Sequence, residues 1–286
     1  MESLLKLCKS VLSNRASLFS RRTTSFLVLL ISGLLQLPTG AQPAPNQKLL
    51  PFFDNENNPV PVGFPPGQQL DITPPPPQLN AFDEAVVKTC GAIGSTVTSN
   101  QFKQLLRTHP EVLQKIQQAN GGELRPGRKR RSDFLQDLAN VWSKRKGFEH
   151  IFCGEIYNAN DIGGLHFYGR YLQLQNQGIG GRLPNNEQRQ EVVPGEIYTM
   201  GVEIRQGERR VTDVIKGYGY LSNAEEMLVD ATRAFKNQGN TEGACILKVR
   251  DTDTRRTIPS VFVRKESAIV TYYPDATPQG KQCNGS

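Results

Sequence analysis

The spacing of apolar positions changes along this chain, and the changes mark out its parts. Phe26 to Leu37 is an almost uninterrupted apolar run of 12 residues. It follows a basic lead of Lys6, Lys9, Arg15, Arg21 and Arg22 and precedes the small residues Thr39-Gly40-Ala41. Such a run is short for a bilayer core, so residues 1–41 are expected to be a cleaved secretion signal rather than an anchor. The lead is Ser-rich and nearly free of acid, which leaves an organelle transit role open. Ser20-Arg21-Arg22 lies too far ahead of Phe26 for a good twin-arginine signal. From 42 to 80 periodicity is lost among Pro, Asn, Gln and Gly. Pro74 to Pro77 predicts extended polyproline II, and the segment is expected to be a linker without a core.

Helical spacing then takes over. Phe82 to Ile93 predicts one helix. Phe102, Leu105 and Leu106 form a second stripe, and Pro110 restarts it in a first turn with Val112, Leu113 and Ile116. Residues 81–131 are expected to be a small helical accessory unit or pro-region. Phe134, Leu135, Leu138, Val141 and Trp142 mark a further helix. Strand-like runs follow at 149–156, 165–174, 197–204, 244–250, 260–264 and 268–273. They are interrupted by a helix at 224–235 behind the capping pattern Ser222-Asn223-Ala224-Glu225. Helices segregated from a run of strands predict an α+β domain over 132–286, built on antiparallel sheet.

Charge changes this picture little. The net +7 divides into +4 from residues 1–41, +3 from 42–131 and zero from 132–286, where 19 basic residues meet 19 acidic ones. A basic overall balance therefore says nothing about the surface of the C-terminal domain. The basic run Arg128-Lys129-Arg130-Arg131 before Ser132 admits three readings: a dibasic processing site, a phosphate-contacting patch, or a solvated loop. Processing there would free a C-terminal domain restrained by residues 81–131. Cys8 would leave with the signal. Cys90, Cys153, Cys245 and Cys283 remain, consistent with two disulfides in any of three pairings or with buried free thiols.

Three histidines narrow the chemistry. His109 precedes a proline near a helix end and reads as a surface residue. His150 and His166 each stand beside a glycine and a strand-like run, which could bring two imidazoles face to face. Cleavage of RNA by its own 2′-hydroxyl needs a base, an acid and a fixed cation for the phosphorane oxygens. Two imidazoles titrating near pH ~6.5 and one ammonium suffice without a metal ion. Periodicity does not single out the lysine. A metal site would want more ligands than two histidines without a Cys-x-x-Cys pair. Gly178-Ile179-Gly180-Gly181 lacks the Gly-Lys-Ser/Thr ending of a phosphate loop and reads as a flexible hairpin tip. A Cys153 thiol nucleophile is disfavoured, because positions three apart on a strand face opposite ways.

Gly147-Phe148-Glu149-His150-Ile151-Phe152-Cys153-Gly154-Glu155-Ile156 resembles the EndoU family of endoribonucleases. Gly164-Leu165-His166 with Arg170-Tyr171-Leu172-Gln173 resembles that family's second histidine run and following strand. Lys216-Gly217-Tyr218-Gly219-Tyr220-Leu221 is similar to its lysine segment, and Ile269-Val270-Thr271-Tyr272-Tyr273 to its final strand. The resemblance covers about residues 133–275 and implies a compact α+β catalytic domain. It implies His166 as general base, His150 as general acid and Lys216 as phosphorane stabiliser, with Thr271, Tyr273 and Tyr220 at the nucleotide. Animal and viral members usually carry serine where Tyr220 stands, so RNA cleavage is implied more strongly than uridine preference. No obligatory metal or other cofactor is expected, although manganese stimulates some members. The expected partner is RNA, with an inhibitor or immunity protein if the enzyme is a toxin, and the location is secreted or periplasmic. The rival expectation is a non-catalytic RNA- or protein-binding module on the same fold.

Overall fold

Three helices start on reciprocal capping boxes, in which side chains satisfy the free backbone donors of a first turn. Asn80 with Asp83 starts α1 (Ala81–Cys90), and Thr98 with Gln101 starts α2 (Ser99–Thr108). Pro110 opens α3 (Pro110–Ala119), where its missing N–H costs nothing. α4 spans Arg131–Ser143. The computed structural model describes residues 48–251 and 254–285. The expected signal segment lies outside the described residues.

Two antiparallel sheets frame the molecule. In the first, β7 (Ile197–Gln206) pairs along its length with β8 (Arg209–Gly219) and at its two ends with β6 (Glu191–Val193) and β5 (Gly180–Arg182). The second runs β11-β10-β9, from Ala268–Pro274, Thr257–Lys265 and Gly243–Arg250. Short hairpins join β1 (Val60–Pro61) to β2 (Gln69–Leu70) and β3 (Glu155–Asn158) to β4 (Asp161–Gly163). Helices α5 (Tyr168–Asn176) and α6 (Ala224–Asn237) complete an α+β fold. Among the described residues no helix is long and apolar enough to cross a membrane.

Several expectations are corrected. Residues 149–153 form one turn of π-helix, closed by Gly154 N–H to Glu149 O at 2.9 Å, and the strand begins only at Glu155. Ile151, Phe152 and Cys153 are consecutive and all buried, a run that a buried strand and a buried helical turn share. The run expected as a strand at 165–174 becomes α5, since Tyr168, Tyr171 and Leu174 are buried at helical spacing. Strand β8, which carries Lys216, had no signal of its own. The cap of α6 is Asn223 with Glu226, one residue beyond the expected pair. Gly180 and Gly181 are a paired strand, not a hairpin tip. A Cβ on Gly181 would stand 2.4 Å from Leu50 O, so glycine here permits close backbone approach.

The expected linker and helical unit are parts of the same core. Phe52 and Phe53 are fully buried against Tyr171 and Tyr218, with ring centroids 4.9 and 5.3 Å apart. The Gln175 side chain accepts both of their N–H groups. Two aromatic anchors in a Pro-rich run escape a reading by composition. Phe102 of α2 stacks on Trp142 of α4, which continues through Phe152 to Phe167. Asp83 of α1 accepts the Ala224 N–H at 2.9 Å and so helps to start α6. The basic run is engaged as well. Arg128 bonds Asp137 at 2.7 Å, Arg130 bonds Asp133 at 2.8 Å, and Arg131 donates to Pro110 O. The boundary expected at 131/132 falls in the first turn of α4 and separates no two cores.

Disulfides join Cys90 to Cys153 and Cys245 to Cys283, which decides among the three pairings. The first ties α1 to the turn bearing His150 across 63 residues. Cross-links of this kind restrict the unfolded chain. The Cys90→Ala/Cys153→Ala double variant is expected to lose about 2–4 kcal/mol in a denaturant titration. A midpoint equal to that of the parent would show that the link is energetically silent.

Candidate active site

The π-helical turn and the segment leading into α5 are held together through backbone. Leu165 N–H donates to His150 O and His166 N–H to Ile151 O, both at 2.8 Å. Gly164 makes this possible: its φ is +62°, and a Cβ there would lie 1.7 Å from His150 O. The result is the apposition expected from the two histidines, with ring centroids 5.8 Å apart. His150 comes from a helical turn and His166 from the irregular segment between β4 and α5, not from paired strands.

Hydrogen bonds set the tautomers. His166 Nδ1 lies 3.2 Å from Gly217 O, and a carbonyl only accepts, so Nδ1 carries the hydrogen and Nε2 keeps its lone pair. Burial, then the charges of His150 and Lys216, hold the His166 imidazole well below the usual histidine range, with the Gly217 bond opposing them. His150 Nδ1 lies 2.9 Å from Glu155 Oε2, which also accepts the Tyr157 hydroxyl at 2.6 Å. Burial pushes the Glu155 carboxyl up. Bonds from His150 and Tyr157, with the charges of His150 and Lys146, outweigh burial and hold it below its ordinary value. An ionised Glu155 takes the Nδ1 hydrogen of His150, so this ring too exchanges protons at Nε2.

Lys216 comes from β8 just after an irregularity in its pairing with β7. Its ammonium pairs with Asp213 Oδ2 at 3.0 Å. Asp213 is itself held by the Ile162 and Ile215 N–H groups at 3.2 and 3.1 Å. The second sheet closes the other side. Tyr273 stacks on His166 at 4.7 Å and 21°. Thr271, two residues earlier on the same strand face, is buried, and its Oγ1 has no hydrogen-bond partner among the described residues. The structure therefore brings His150, His166, Lys216 and Tyr273 together, with Thr271 beside Tyr273 on the strand.

Tyr220 is placed differently. Its hydroxyl donates to Pro75 O at 2.6 Å, and its ring lies against Tyr168 and Tyr198. Its interactions among the described residues tie it to that tyrosine cluster, not to the histidine pair. His109 edges onto Phe82 and bonds Leu105 O, away from this chemistry. Sequence reasoning did not single out Glu155 and Asp213. The available signal was an acidic residue five positions after His150 and three before Lys216. Among the described residues no group of three or more His, Cys, Asp or Glu is arranged to hold a metal ion.

Residues 144–276 match the family model for bacterial EndoU nuclease. Over this segment the chain is similar to the EndoU family. The matched segment contains both histidines, Glu155, Asp213, Lys216, Thr271 and Tyr273, whereas α1 and Cys90 lie outside it. Among solved structures, the snoRNA-processing endoribonuclease XendoU is 17% identical, with TM-score 0.46, over 80% of this chain and 91% of that one. The endoribonuclease Nsp15 of Middle East Respiratory Syndrome Coronavirus is also 17% identical, with TM-score 0.34, over 49% of this chain and 37% of that one. Comparison with curated proteins finds no match.

Proposed function

We propose that this protein is a secreted endoribonuclease that cuts single-stranded RNA at uridines, leaving 2′,3′-cyclic phosphate and 5′-hydroxyl ends. The observation that carries the reading is the pair of imidazoles whose Nδ1 atoms are engaged, leaving both Nε2 atoms for proton exchange beside a fixed ammonium. Neutral His166 takes the 2′-hydroxyl proton as that oxygen attacks phosphorus. Protonated His150 delivers one to the departing 5′-oxygen. Lys216 stabilises the charge on the phosphorane oxygens, a role in which preorganised charge contributes strongly. The unpartnered Thr271 hydroxyl supports a polar contact to the base, and Tyr273 supports the sugar.

The test is incubation of the purified protein with a uridine-containing RNA oligonucleotide in EDTA, with products weighed by mass spectrometry. Cyclic phosphate ends and an intact 2′-deoxyuridine control are expected. Cutting of the deoxy control, or intact RNA across pH 5–8, would overturn the mechanism.

The pH profile follows from His166. A lowered pKa means that the neutral base persists to more acidic pH, and competence is lost only as pH falls through that lowered value. The acid limb of kcat/KM is therefore expected below pH ~6.5, the ordinary histidine midpoint. An acid limb at or above that midpoint would contradict the assignment.

A further inference from the structure

Among the described residues, three large hydrophobic side chains are exposed: Tyr157 at 57%, Val214 at 42% and Ile215 at 53%. Isolated exposed apolar residues are ordinary, but these three all adjoin the site. Val214 and Ile215 immediately precede Lys216. Tyr157 lies on the β3–β4 hairpin, whose Ile162 N–H bonds Asp213, the partner of Lys216.

Tyr157 is also held at the hydroxyl end of its ring. Its hydroxyl donates to Glu155 Oε2, the same oxygen that holds His150 Nδ1. Its ring lies over Gly163, where a Cβ would come within 2.5 Å of Cζ, so the glycine leaves room for it. A fixed ring with more than half of its surface free is a preorganised flat surface, and binding to it costs little ordering. Its neighbourhood selects the ligand. The charges of Glu155 and Asp161 act on the hydroxyl and disfavour a phosphate there. The neutral face of an unstacked base fits instead, and base–aromatic stacking is indifferent to which base it is.

We propose that Tyr157 is the stacking platform for the base immediately 3′ to the scissile phosphate. The 3′ side follows from the roles given above. His150 serves the departing 5′-oxygen, which belongs to the 3′ nucleotide, and Tyr157 stands two hydrogen bonds from His150 through Glu155. Tyr273, stacked on His166, lies on the side of the attacking 2′-hydroxyl. The inference rests on the RNA-cleavage reading and adds a subsite to it.

The test uses an oligonucleotide with 2′-deoxyuridine at the cleavage position and 2-aminopurine immediately 3′ to it, bound to the full protein and followed by fluorescence. Quenching is expected with the parent and with Tyr157→Phe, which keeps the ring. Tyr157→Ala is expected to abolish the quench and weaken binding about 5–100-fold, with an unchanged thermal midpoint showing that the fold is intact. Equal quenching and affinity in Tyr157→Ala would overturn the platform. Loss of quenching in Tyr157→Phe would also overturn it, and would assign the residue to positioning His150 through Glu155. A parent protein that fails to cut the all-ribose oligonucleotide defeats the cleavage reading itself. One that cuts it but leaves 2-aminopurine unquenched defeats the platform alone.

Discussion

Replacing His166 with alanine is expected to slow RNA cleavage by about 10²–10⁴-fold, the usual contribution of a positioned general base. His150→Ala is expected to fall in the same range as the general acid. Lys216→Ala should cost about 10²–10³-fold, in line with removal of one group that stabilises developing charge. The loss should appear in kcat under single-turnover conditions, because these groups act on protons and charge that move only as the bond breaks. Both histidines are partly exposed, and the backbone bonds that place them, to Leu165 and His166 N–H, are independent of the side chains. Thermal midpoints should therefore change little. The double variant His150→Ala/His166→Ala should be little worse than either single one, since the two act as a unit. Near-parental rates in both single histidine variants would remove them from the chemistry.

Gly164→Ala is expected to do more damage than any other single methyl group in the site. The new Cβ would sit 1.7 Å from His150 O on a residue with φ +62°, so the two histidine segments must part. The left-handed backbone alone costs a non-glycine residue roughly 1–2 kcal/mol. Breaking the bonds from Leu165 and His166 adds about 1 kcal/mol each. A loss of about 3 kcal/mol or more is expected in denaturant titration, together with loss of cleavage. Gly178→Ala is the matched control: its φ is +69°, but nothing lies within 4 Å of the added carbon. It should show only the backbone cost and keep its activity. Equal effects from the two substitutions would mean that the clash at His150 is relieved at no cost and that Gly164 does not hold the pair together.

Much of this molecule is legible along the chain because it is decided locally. The stripe of Phe102, Leu105 and Leu106, Pro110 in a first turn, and the stripe of Met227, Leu228, Ala231 and Phe235 mark helices through neighbours three or four residues apart. The apolar alternation of Tyr198, Met200, Val202 and Ile204 marks β7 for the same reason. His150, His166 and Lys216 could be named because the short runs around them resemble EndoU motifs. Three features could not be read so, since each depends on partners far away in sequence. The aromatic-rich run after His166 folds as a helix because Tyr168, Tyr171 and Leu174 must all be buried, and residues such as Phe52, 119 positions before Tyr171, supply part of that core. The Pro-rich run is packed rather than free because Gln175 and Tyr218 receive its two phenylalanines. Glu155 and Asp213 matter because tertiary contacts aim them at His150 and Lys216. The sequence by itself determined which side chains are available for chemistry and where most helices begin. Only the tertiary structure decided the histidine apposition, the engaged Nδ1 atoms and the depressed pKa of His166, because hydrogen-bond direction, burial and charge proximity arise only when distant segments meet.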